Sequence, residues 1–97
     1  MNKESLPDFS GKCISLRMAG SRYGHDLFDP RFEYQGGKLM IIGTVPENAS
    51  ESGWDSGKVA ALDWEHVRKY TIFDSLEDFQ KADAIAEKFY NEKEKNT

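Results

Sequence analysis

The pair Gly36-Gly37 stands between two apolar arms, 31–35 and 38–45. Glycines lack a Cβ, so two in a row can supply the consecutive positive φ angles of a two-residue hairpin turn. This predicts a β-hairpin. On the first arm Phe32 and Tyr34 share a face, because side chains alternate along a strand. On the second arm Leu39, Ile41 and Val45 share one face, while Met40 and Ile42 take the other. An arm apolar on both faces is a central strand, covered on each side.

The flanking sequence supplies the other elements. Residues 1–10 read as a flexible lead-in. Ile14, Leu16 and Met18 then alternate with Ser15 and Arg17, the period of a half-buried strand. From Ala19 to Pro30 the chain carries Gly20, Ser21, Gly24, Asp26, Asp29 and Pro30, which reads as a long loop. Pro46 cannot donate to a ladder and ends the second hairpin arm; residues 47–57 form a second long loop. Residues 58–63 resume as a strand, 64–67 are a single helical or 3₁₀ turn, and 69–73 are β-rich again.

At Asp74-Ser75 the period changes. Ser75 is a good N-cap with Asp78 three residues on, and Leu76, Phe79, Ala82, Ile85, Ala86 and Phe89 follow at helical spacing. Asp74, Glu77 and Asp78 stand at the positive end of this helix, with Lys88, Lys93 and Lys95 toward its negative end. The helix is expected over 75–91, with a frayed tail at 92–97. Ninety-seven residues leave room for one domain only, with the sheet over 11–73. The expectation is an α+β fold: a five-stranded antiparallel, strongly curved sheet or small Src-homology-like barrel followed by one C-terminal helix. Closure would remove the strand edges, and the brief turn between the last two strands fits such a barrel.

Charge is uneven along the chain. Residues 1–45 carry a net +1 and residues 46–97 a net −5, giving −4 overall. The six basic residues of the first half are scattered, so no basic stripe forms and a nucleic-acid role is disfavoured. No stretch reaches the roughly 18–20 apolar residues of a membrane span, and the N-terminus shows no apolar core of a secretory signal. The single cysteine, Cys13, excludes an internal disulfide and a multi-thiolate metal site. A cytoplasmic location is expected.

Asp29-Pro30-Arg31-Phe32-Glu33, Gln35-Gly36-Gly37, Gly43-Thr44-Val45-Pro46, Trp54 and the stretch 70–75 resemble small uncharacterised bacterial proteins of the kind carried on mobile gene cassettes. The resemblance spans about residues 11–80 and rests on turn and strand motifs. It implies no activity, cofactor or residue role.

Two sets of residues are candidates for chemistry. His25, Asp26 and Asp29, with His66, could serve a metal-dependent or hydrolytic enzyme through metal ligation or general-base work. Against this, Asp26 and Asp29 suit loop-shaping Asx turns, and His66 lies on another element. Cys13 sits in a regular strand, where a free cysteine packs as a small apolar residue. There is no Ser-His-Asp order, phosphate loop, zinc spacing or HExxH motif, so a non-enzymatic protein without cofactor or metal is expected.

The aromatics of the loops carry the leading expectation. Tyr and Trp bury much area for few rotors, which makes them anchors of recognition surfaces. Arg22, Tyr23, His25, Phe28, Trp54 and Asp55 are therefore the expected binding residues of a small interaction module, recognising a protein partner or small ligand through loops 19–31 and 46–57. Any pocket should open between these loops and be lined by Trp54. For Phe28 and Trp64, closing the ends of the core is the favoured reading, whereas for Tyr23 and Trp54 that reading and recognition are evenly matched. Finally, apolar side chains among Phe32, Tyr34, Met40 and Ile42 left outside one helix's reach would favour a homodimer, with the C-terminal helix or the 39–45 strand at the contact.

Overall fold

A computed structural model describes residues 6–47, 49 and 52–95. Residues 1–5 of the expected lead-in and 96–97 of the expected tail lie outside this range. Five strands, β1 (Cys13–Met18), β2 (Gly24–Gln35), β3 (Lys38–Thr44), β4 (Val59–Asp63) and β5 (Val67–Phe73), precede one helix, α1 (Leu76–Lys95). A 3₁₀ turn at Trp64–His66 joins β4 to β5. All pairings are antiparallel, in the order β4-β3-β2-β1-β5. This is the expected α+β fold of five antiparallel strands and a C-terminal helix.

The order explains why the sheet curls. β4 and β5 are its two edges, and a flat five-stranded sheet would hold them about 19 Å apart. Yet Asp63 and Val67 are separated by only three residues, which reach about 14 Å even when fully extended. Ala19 N–H also donates to the His66 carbonyl at 2.7 Å, pinning the turn to the end of β1. β4 and β5 do not pair with each other, so the sheet wraps without closing into a barrel.

The hairpin at Gly36-Gly37 has φ angles of 57° and 82°, as its composition required. β3 lies between β2 and β4, and Leu39, Ile41, Ile42 and Gly43 on it are buried. The curled interior gathers Phe9, Ile14, Leu16, Leu27, Leu39, Ile41, Val45 and Trp64. Phe9 corrects the flexible lead-in. Its neighbours fold a tight turn, in which the Asp8 carboxylate accepts from Ser10 N–H and Oγ–H (3.0 and 2.6 Å) and Lys12 N–H donates to the Phe9 carbonyl (3.0 Å). The Phe9 ring then enters the cluster of Phe32, Trp64 and Tyr70.

The largest correction concerns residues 24–30, expected as loop and found as the first half of a twelve-residue β2. Only 19–23 connect β1 to β2. The breaker residues are absorbed by a bulge between Phe28 and Arg31, where Asp29 adopts φ 51°. Pro30, without an N–H, costs nothing in a bulge where pairing is interrupted. The extra residue also changes the facing parity of the strand. Leu27, opposite Ile14, and Phe32, opposite Ile41, both face the core although an odd number of positions separates them.

Ser75 caps α1 as expected, its Oγ accepting from Asp78 N–H at 3.1 Å. The helix runs on to Lys95 instead of ending at 91, because 92–95 holds Glu and Lys, good helix formers, and no breaker. Only its first turns pack on the sheet: Phe79 is buried and meets Phe73 edge-on at 5.6 Å. Among the described residues, no helix is long and apolar enough to cross a membrane.

Candidate functional site

β2 serves two neighbours in turn. Its first half pairs with β1, its second half with β3, and Phe28 pairs with both. β3 leaves the sheet after Thr44, so among the described residues no strand pairs with Gly24–Leu27 on that side. The Asp29 N–H donates to the Lys12 carbonyl at 2.8 Å, which fixes the phase of the β1–β2 ladder. In that phase Gly24 and Asp26 turn their backbone groups away from β1, toward the open side.

A groove of about 970 Å³ occupies this open side. One wall is β2 from Gly24 to Leu27, reached by Tyr23. The second wall comes from residues that follow β3: Val45, Ala49, Trp54 and Asp55. The third is the inner face of α1, with Phe79, Ala82, Asp83, Ala86 and Tyr90. Trp54 and Tyr23 stand at the mouth, 79% and 76% exposed. The turn that presents Trp54 is closed by Ser56 N–H on the Gly53 carbonyl (3.2 Å) and by Lys58 N–H on the Asp55 carbonyl (3.0 Å). Gly53 and Gly57 take positive φ angles there.

The groove is acidic. Asp26, Asp55 and Asp83 line it together with His25, and among the described residues no Lys or Arg does. Burial pushes the Asp26 carboxyl above its ordinary value; a hydrogen bond from Ser15 opposes this, the Asp83 carboxylate raises it further, and His25 lowers it. Two carboxyl groups thus repel each other across the groove. Beneath them Cys13 is fully buried, its thiol pushed up to about 12, first by burial and then by the charge of Asp26. It stays a thiol at neutral pH and is no nucleophile.

Of the expected binding residues, the structure brings Tyr23, His25, Trp54 and Asp55 together in this groove. It leaves two out. Arg22 is exposed away from it, and Phe28 is half-buried in the sheet between Cys13 and Thr44. Arg22 lies in the 19–23 turn before β2, and Phe28 sits where β2 is paired on both sides, beyond the stretch that borders the groove. The four residues of the enzymatic alternative are dispersed as well. Asp29 accepts from Gly11 N–H at 2.7 Å, and His66 Nδ1 lies 2.9 Å from Asp63 Oδ2 in the 3₁₀ turn. Only His25 and Asp26 reach the groove. Among the described residues no group of three or more His, Cys, Asp or Glu is placed to hold a metal ion.

The contribution of α1 is absent from the sequence reading. One signal pointed to it: Asp83 interrupts the apolar stripe, four residues after Phe79 and three before Ala86. A carboxylate on the packing face of a helix marks a place where that face meets something other than core. Comparison with protein-family models, with curated proteins and with solved structures finds no match for this chain.

Proposed function

We propose that the protein is a small, non-enzymatic interaction module whose groove receives an extended segment of a protein partner carrying a basic side chain. The observation that carries this reading is the open backbone edge at Gly24 and Asp26, set between two highly exposed aromatics and a wall of acids. An extended segment laid on that edge adds main-chain hydrogen bonds in the manner of a further strand, and alternate side chains enter the groove. Trp54 and Tyr23 close over it as anchors. A cationic side chain relieves the repulsion between Asp26 and Asp83, which gives the groove a preference for basic over acidic segments.

The test is to pan a library of displayed random twelve-residue peptides on the immobilised protein and titrate the enriched sequences, following tryptophan emission. The expected result is enrichment of sequences with Lys or Arg among apolar residues. Their affinity should fall at least tenfold, about 1.4 kcal/mol, in Trp54→Ala and in Tyr23→Ala. It should also weaken as acid protonates Asp26. Enriched peptides that bind both variants as well as the parent would reject the reading, and so would a selection that enriches nothing.

A further inference from the structure

The groove beside Gly24–Leu27 opens on both faces of the sheet, and the ladder fixes which residue looks into which. Ser15 pairs with Asp26, and Ile14 with Leu27. Ile14 and Leu27 are core residues, so Ser15 and Asp26 face the opposite way. Cys13 shares the face of Ser15, two positions on, and pairs with Phe73. Phe73 meets Phe79 edge-on at 5.6 Å, so this is the face that α1 covers. Asp26 therefore looks toward the helix, where Asp83 lines the same groove. Leu27 looks toward the core, where Val45, Ala60 and Leu62 line it.

The two lobes differ in chemistry. On the helix side the carboxyl groups of Asp26 and Asp83 repel each other. On the core side the lining is apolar, and Ala60 and Leu62 are only half-buried.

We propose that the groove reads an alternating pattern in the segment it receives: a Lys or Arg facing Asp26 and Asp83, and an apolar residue immediately beside it facing Leu27, Ala60 and Leu62. This rests on the groove being a strand-accepting site and adds the register in which it reads. The residue that an added strand sets beside Asp26 points to the same face as Asp26, whichever way that strand runs. Its immediate neighbours point to the core side. The one beside Leu27 enters the apolar lobe, and the one beside His25 lies nearer the mouth at Tyr23. A slip of one residue would exchange the two sets. The cation would then lie desolvated among Leu27, Ala60 and Leu62, and an apolar side chain would face two carboxyl groups, so the register is strongly specified.

Three end-blocked seven-residue peptides test the register by isothermal titration calorimetry. The first, Ser-Thr-Val-Lys-Val-Thr-Ser, carries Val on both sides of Lys. The second, Ser-Val-Thr-Lys-Thr-Val-Ser, has the same composition and charge with each Val moved one position outward. The third replaces the Lys of the first by Glu. The first should bind roughly tenfold or more tightly than either of the others. In a chain carrying Asp26→Asn and Asp83→Asn, its advantage over the Glu peptide should disappear while its advantage over the isomer persists. Asp83→Asn alone, on the helix, should narrow the same gap with circular dichroism unchanged. Equal affinity for the two isomers overturns the inference, as does equal affinity for the Lys and Glu peptides. Library-selected peptides that bind while none of these three does would overturn the register and leave the strand-accepting groove standing. Failure of both sets to bind would overturn the two together.

Discussion

Gly43 lies where two backbones nearly touch. A Cβ built there would sit 3.0 Å from the Leu27 Cβ, 3.1 Å from the Phe28 carbonyl oxygen and 3.2 Å from the Pro30 Cα. Two of these are backbone atoms at the β2 bulge, which cannot swing aside. Gly43→Ala should therefore cost about 1–3 kcal/mol, read as a lower urea midpoint, by forcing β3 away from the bulge. Cys13 makes a different prediction from the same core. Its thiol is pushed up to about 12 from an ordinary 9.0, chiefly by burial. The folded state thus holds the proton more tightly than the unfolded state. The stability this provides is full below about pH 9 and is lost as pH rises toward 12. The advantage of the parent over Cys13→Ala should shrink across that window in urea titrations, and a thiol reagent should leave native Cys13 unmodified at pH 7.

At the scale of elements, what the sequence revealed was local chemistry. Gly36-Gly37 names its own turn through the positive φ both residues must take, and Ser75 names the helix start through its bond to Asp78 N–H. Alternation in Ile14, Leu16 and Met18 names β1. The first half of β2 was hidden because its strand character is supplied from far along the chain. Ile14 pairs with Leu27 and Ser15 with Asp26, and the breakers Asp29 and Pro30 are used up in a bulge that no single-residue preference announces. β5 was placed in order but not in space: it crosses to β1 and does not pair with β4. The groove divides along the same line. Tyr23 and Trp54 are visible as aromatics among turn residues, whereas the wall from α1 exists only once Phe79 docks on Phe73 and Asp83 and Tyr90 come to line the groove.

The molecule as a whole depends on how its two tryptophans are used. Trp64 is buried at the joint between the sheet's edges, within 6.4 Å (ring centroid to ring centroid) of Phe9, 4.9 Å of Phe32 and 5.7 Å of Tyr70. Those three partners come from the lead-in, from β2 and from β5, so one side chain fastens the curl of the sheet. Trp54 is at the groove mouth, with most of its surface in water. Trp64→Ala should cost about 3–5 kcal/mol, the range for emptying an aromatic site in a core. That is a large share of the ~5–15 kcal/mol that stabilises a domain of this kind, so the variant should be largely unfolded at modest urea. Trp54→Ala should stay within about 0.5 kcal/mol of the parent, because it removes little buried area. Emission spectra give a second readout. The parent combines a blue-shifted core signal with a red-shifted exposed one, and Trp54→Ala should keep only the first. Equal losses of stability in the two variants would show that the curl is held by something other than the aromatic joint at Trp64.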